Sequence, residues 1–358
     1  MTLTTSTKRT LLALGSVTTI TVVFGSVYPL IFPTPEASAG LLWHSILNGF
    51  LVGLFAGLAV SLGEQYLFQS RLRRLPFSAF LAVQTFFYLA VISLSHFVVL
   101  TLHMVVFHGL TFDGAFHSSE FEDFYGHVFW KMTAYALAVI FMLNFLRQVN
   151  RMLGRNMLVD FFIGKYHTPV EEQRVFMFLD LNGSTAMAEK LGHKRYHQLL
   201  DDFFYDITPP ILETKGEVYQ YVGDEVVVTW MGDRGLREAN CLRCYFRMVA
   251  AIADADARYE RKYGLVPRFK AGCHYGKVVA GLSGDLKRNI VYHGDTVNTA
   301  ARIRSECTAA NRPLLLSGDL LKHLAAIRDV IPENMGRIKL RGKEEEIELF
   351  AIKNMALS

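Results

Sequence analysis

Apolar and polar positions divide the chain into two unlike halves. Before about residue 147, apolar stretches recur at residues 10–32, 41–68, 76–107 and 126–146, each long enough for the ~20 residues that a helix needs to cross a bilayer. Beyond that point, short β-type runs alternate with helical periodicities. RVFMFLDL (174–181), VYQYV (218–222) and EVVVTW (225–230) read as strands. A polar turn after the first of these leads into helical segments through about residue 214. Gly223-Asp224, between the second and third, is a hairpin signal. The pattern predicts a helix over 236–263, strands in RFKAGCHYG, KVVAGLSG and RNIVYHG, a helix over 295–307, and closing strands near 336–341 and 346–352. The order βαββαβ with extra strands predicts an α+β sheet covered on one face by helices. Three parts follow: a four-span helical bundle at 1–147, a coupling linker at 148–170 and a soluble domain at 171–358.

Charge orients the bundle. Lys8 and Arg9 precede the first span, Arg71, Arg73 and Arg74 fill the second connection, and Arg147, Arg151 and Arg155 follow the fourth. The other two connections carry Glu36 in one, and Asp113, Glu120, Glu122 and Asp123 in the other, with no Lys or Arg. Positive charge therefore falls on one side, which predicts a multi-pass protein of the inner membrane with both termini cytosolic. Ala37-Ser38-Ala39 resembles a signal-peptide cleavage site, but the long first span and the complete charge alternation favour its retention. The net charge of +4 is too small for a general nucleic-acid binder. Cys241, Cys244, Cys273 and Cys307 all lie in the later half, as reduced thiols of a cytosolic domain would, and the Cys241/Cys244 pair reads as helix packing.

Within the bundle, Gly49, Gly53 and Gly57 recur every fourth residue and allow close helix approach, inside the bundle or across a dimer. His44, His103, His108, His117 and His127 fall near the outer face, with His96 one heptad before His103. Imidazoles there are either hydrogen-bonded interfacial groups or ligands for haem or a metal ion. In the linker, a basic amphipathic start gives way to aromatic residues and a Thr168-Pro169 break, which is either a mechanical link or a passive tether.

Two carboxylates stand out in the soluble part. Asp180 ends the first strand, just before the turn Asn182-Gly183-Ser184-Thr185 into a helix, and Asp224 sits in the hairpin. If the first and second strands are neighbours, the acids meet beside a helix N-terminus, a combination suited to divalent cations and a polyphosphate.

The three segments FLDLNGST, YQYVGDEVV and YHGDTVNTAARI, in that order and spacing, resemble the class III adenylate and guanylate cyclase catalytic domain over roughly residues 170–352. The resemblance implies a ferredoxin-like βαββαβ core and makes Asp180 and Asp224 ligands of two divalent cations, Mg²⁺ or Mn²⁺. It makes Asn298 and Arg302 the pair that stabilises the transition state, Asn298 orienting the ribose and Arg302 contacting phosphate. It gives Lys343, in LRGK, the terminal phosphates. The implied reaction is ATP to cyclic AMP and pyrophosphate, by attack of the ribose 3′-oxygen on the α-phosphorus. The family builds its sites between subunits, so a chain with both halves implies a head-to-tail homodimer, here one that a bundle with its own unknown ligand would regulate. Two base-reading positions depart from the family: Gln220 replaces the usual Lys, and Val291 the usual Asp or Thr. An amide still reads an adenine edge, which favours ATP over GTP. A diguanylate cyclase would need a Gly-Gly-acidic-acidic-Phe hairpin where this chain has Val222-Gly223-Asp224-Glu225-Val226. A sensor without turnover leaves the complete residue set unused, and a transporter lacks support in any inverted repeat or broken helix.

Overall fold

The computed structural model describes residues 5–31, 39–68, 72, 75–118, 122, 126, 129–153, 163–285, 288–324, 330–340 and 345–355. The chain forms two compact units, Met1–Met152 and Leu153–Ser358.

In the first unit, helices α1 (Thr5–Ile31), α2 (Ala39–Gly63), α3 (Phe77–His108), α4 (Phe112–Phe116) and α5 (Phe129–Leu153) follow in order, α2 continuing as a π-helical turn at Glu64–Phe68. Among the described residues three helices are long and apolar enough to cross a membrane, at Leu42–Phe68, Ser78–His108 and Phe129–Leu146. The expected first span falls on α1, whose apolar stretch among the described residues, Val17–Leu30, is shorter than the three others. Large apolar side chains such as Phe86, Leu94, Val106 and Trp130 are exposed on the helices, as lipid-facing residues are. The glycine strip acts inside the chain: a Cβ on Gly25 would lie 2.2 Å from the Gly49 carbonyl oxygen, and one on Gly53 2.5 Å from that of Thr21. The Thr21 hydroxyl donates to the Gly53 carbonyl at 2.8 Å across the same contact. Sequence reading missed a buried polar cluster in which Tyr88 donates to Glu64 and Gln84 bonds Tyr88 at 2.9 Å. Much of the coupling linker, residues 154–162, lies outside the described residues.

The second unit is a sheet of β1 (Val170–Leu181), β2 (Glu217–Val222), β3 (Glu225–Met231), β4 (Phe269–Ser283), β5 (Asn289–His293), β6 (Leu314–Ser317), β7 (Val330–Lys339) and β8 (Glu346–Met355). Its order is β2-β3-β1-β4-β6-β8-β7, with β5 on β4. The expected βαββαβ core is present as the β2-β3-β1-β4 half, all antiparallel. Between strands lie α6 (Ser184–Leu191), α7 (His193–Glu213), α8 (Gly232–Leu236), α9 (Asn240–Asp254), α10 (Asp256–Tyr263), α11 (Asp295–Ala309) and α12 (Gly318–His323).

Four expectations are corrected. The two strands read around Gly276 are one 15-residue strand, β4, which pairs with β1 from Val170↔Ala280 to Leu181↔Phe269. Gly276 is not a turn there: a Cβ would lie 2.6 Å from the Thr296 hydroxyl, so the glycine admits a helix. The helix read over 236–263 is broken at its start, where Glu238 and Ala239 adopt φ of 52° and 49°, and again at Ala255. The sheet is covered on both faces. Val175, Met177 and Leu179 of β1 pack in the main core with Leu199, Phe203, Leu242 and Met248, whereas Phe176 and Phe178 meet Val278 and Ala300 on the other side. Strand alternation makes this inevitable once β1 is apolar at every position from Val175 to Leu179. Last, the neighbour of β1 is β3, not β2, with Leu179 opposite Val226.

Candidate active site

The register just described sets the site. Val226 faces Leu179, so the hairpin at Gly223-Asp224 projects past the end of β1, where Asp180 stands. Gly223, at φ 62°, makes the tight turn that a side chain there would strain. The two carboxyl groups come close enough for the charge of Asp224 to act on Asp180. Burial pushes the Asp180 carboxyl above its usual range, and Asp224 pushes it further, while Arg304 and Lys270 pull it back. Next in the chain, Gly183 in the left-handed conformation (φ 69°) caps α6, so the Asn182-Gly183-Ser184-Thr185 turn presents the free N–H groups of a helix start. From α7, Tyr196 joins them: burial raises its phenol, the charges of Asp224 and Asp180 add to that, and a hydrogen bond with Ser184 opposes it.

A cation layer surrounds the acids. Arg304 of α11 places Nη1 3.2 Å from Asp180 Oδ2 and pairs through Nη2 with Glu225. Lys270 of β4 reaches the same Asp180 Oδ2 at 3.4 Å and bonds the Thr308 hydroxyl at 2.8 Å. Tyr196, Glu225, Lys270 and Arg304 were not singled out by sequence, and only Glu225, beside Asp224 in the hairpin, carried a local signal.

The donor set fits hard divalent cations. Asp224 Oδ2 is buried and has no hydrogen-bond partner, and the charge of Asp224 still bears on Asp180 although Arg304 and Lys270 both pair with Asp180. Among the described residues no three His, Cys, Asp or Glu side chains converge to hold a metal. Two carboxylates alone leave coordination places for water and phosphate oxygens, the arrangement Mg²⁺ prefers. In the bundle, the His44 and His103 rings meet edge to face at 5.2 Å and His103 and His108 lie 5.7 Å apart, with Phe107 packed on both His44 and His103. His96 bonds the Ile92 carbonyl in its own helix and His117 that of Asp113, while His127 lies outside the described residues.

Other expected residues stand apart from the acid pair. Asn298 and Arg302 lie on α11 four residues apart, hence on one helix face. Arg304 is two residues on, about 200° around the helix, so the face that reaches Asp180 is not theirs. Among the described residues no hydrogen bond or ion pair joins either of them to Asp180 or Asp224. Gln220 is exposed on β2 and Val291 half-buried on β5. Tyr219 and Tyr292, their chain neighbours, pack edge to face at 5.0 Å, which ties those two strands together. Lys343 lies outside the described residues.

Residues 167–354, just over half of the 358 in the chain, match the adenylate and guanylate cyclase catalytic domain. The chain belongs to that cyclase family. A relative from Rhizobium meliloti (strain 1021), Adenylate cyclase 2, is 39% identical over 225 residues, 63% of this chain and 62% of the relative. Adenylate cyclase 1 of the same organism is 25% identical over 183 residues, 49% of this chain and 27% of that protein. The chain thus spans less than two thirds of each of these relatives. A bacterial light-regulated adenylyl cyclase structure shares the fold, with a TM-score of 0.51 at 20% identity over 60% of this chain and 64% of that one.

Proposed function

We propose that the chain is a membrane-bound adenylate cyclase that converts ATP to 3′,5′-cyclic AMP and pyrophosphate. The convergence of Asp180 and Asp224 beside the N-terminus of α6 carries the reading, and the 39% identity to Adenylate cyclase 2 supports ATP as substrate. Asp180 and Asp224 would hold two divalent cations, Mg²⁺ or Mn²⁺, which when bound favour ionisation of the ribose 3′-hydroxyl and offset charge on the pyrophosphate. The turn at residues 182–185 receives phosphate oxygens on its backbone N–H groups. As the 3′-oxygen bonds the α-phosphorus, the bond from that phosphorus to the oxygen bridging the β-phosphate breaks. Asn298 orients the ribose, and Arg302 spreads its charge over the phosphoryl oxygens. Lys343 grips the terminal phosphates. Gln220 reads the adenine edge through its amide, against the apolar Val291. Because Asn298 and Arg302 occupy the helix face away from Asp180, they serve the acid pair of a second copy, and the working unit is a head-to-tail homodimer with two equivalent sites. Four spans with both termini in the cytosol anchor it, and the bundle regulates by favouring one arrangement of the catalytic domains over another.

The test is product formation by purified full-length protein given ATP or GTP, with Mg²⁺ and then Mn²⁺. Cyclic AMP from ATP is expected, and Asp224→Ala lowers it by about a hundredfold or more. Cyclic GMP in its place would reverse the substrate, and no product from a folded dimer would sink the proposal.

A further inference from the structure

Arg304 is one of the residues of the candidate site that the chemistry above leaves without a task. Its guanidinium bridges two carboxylates, with Nη1 3.2 Å from Asp180 Oδ2 and Nη2 on Glu225. It is held there from behind. The backbone of α11 passes so close to β4 that a Cβ on Gly272 would lie 2.1 Å from the Arg304 nitrogen. The side chain is mostly buried, and its Nε has no hydrogen-bond partner, so the two carboxylate contacts define its position. Lys270 also approaches Asp180 at Oδ2, so the contacts from both cations converge on one oxygen of the carboxylate. Carboxylates that ligate metal are commonly fixed in this way by outer partners.

We infer that Arg304, anchored by Glu225, is a positioning residue that holds the Asp180 carboxylate by Oδ2 and so presents Oδ1 to a divalent cation. The inference rests on the reading of Asp180 and Asp224 as the cation ligands. Its sign separates it from simple electrostatics. A guanidinium that only added positive charge would repel the cation, and its removal would tighten binding. A positioning group acts oppositely, since without it the acid turns away or is taken by Lys270.

The experiment titrates full-length protein with Mn²⁺ alone, following free Mn²⁺ by electron paramagnetic resonance, with no nucleotide present. Arg304→Gln should weaken Mn²⁺ binding by about tenfold or more. Glu225→Gln should weaken it less, because Arg304 loses its anchor but keeps Asp180. The double variant should bind little worse than Arg304→Gln, since Glu225 couples more strongly to the arginine than to Asp180 and Asp224. A thermal melt accompanies each titration, and Glu225→Gln, an isosteric change, carries the test if Arg304→Gln does not fold. Unchanged or tighter Mn²⁺ binding in Arg304→Gln, or in a lone folded Glu225→Gln, overturns the inference. Wild-type binding that Asp224→Ala leaves intact removes the carboxylate-pair reading, and the Arg304 role with it.

Discussion

Four thiols show how strongly the interior of the catalytic unit disfavours charge at the scale of the single residue. Burial pushes Cys241, Cys244 and Cys307 up to about 12, and Cys273 is raised as well. Native protein at pH 8 should therefore resist iodoacetamide at all four, and mass spectrometry should find them labelled only after denaturation. The sign follows from linkage. The unfolded thiols ionise near their ordinary value while the folded ones keep their protons, so this contribution is whole below that value and is lost as pH rises toward 12. Labelling of native Cys241 or Cys244 would show that the helix 240–254 opens readily. That helix packing of Cys241 and Cys244 was readable from the helical pattern around them, with no partner ligands in the sequence for a zinc or redox role. So were Asp180 and Asp224, because each sits at a strand end with turn residues beside it. Arg304 was not readable: two positions from Arg302, it serves the opposite side of the helix, and only packing decides which side meets the acids.

At the scale of elements, α11 depends on its seat. Gly272 and Gly276 clear a path for it across β4, with would-be Cβ contacts of 2.1 Å to Arg304 and 2.6 Å to Thr296. Gly272→Ala should cost about 1–3 kcal/mol in thermal or denaturant unfolding, since neither backbone can yield without loss of sheet or helix bonds. It should also weaken Mn²⁺ binding, because lifting the helix draws Arg304 off Asp180. An unchanged melting temperature would mean that the helix has more room than the structure gives it. In sequence Gly276 ends one predicted strand and so divides β4 in two, whereas Gly272 lies inside a predicted strand. A glycine required by a neighbour's backbone has the same one-letter signature as one required by a turn. β6, only four residues long, escaped for a related reason: a run as short as Leu314–Ser317 has no period to read.

At the scale of the whole molecule, the proposed dimer makes a prediction that a single-subunit site would not. Asp224→Ala and Arg302→Ala should each be inactive alone, yet mixed protomers should recover cyclase activity, about a quarter of the wild-type rate if dimers form at random with one intact site per mixed pair. Failure of the folded variants to complement would place the acids and the Asn298–Arg302 pair in one subunit. Sequence by itself determined the division into an apolar helical part and a part of mixed strands and helices, the hairpin that carries Asp224, and the motifs of the family, since hydrophobic period, turn chemistry and local motifs are all properties of neighbours along the chain. Tertiary structure alone decided that β3 and not β2 flanks β1, that α11 closes the second face of the sheet, and that Arg304, Lys270, Glu225 and Tyr196 gather at the acid pair. Those contacts join residues as far apart as Asp180 and Arg304, and what brings them together is the pairing order of the sheet and the choice of helix face, neither of which is written in local sequence.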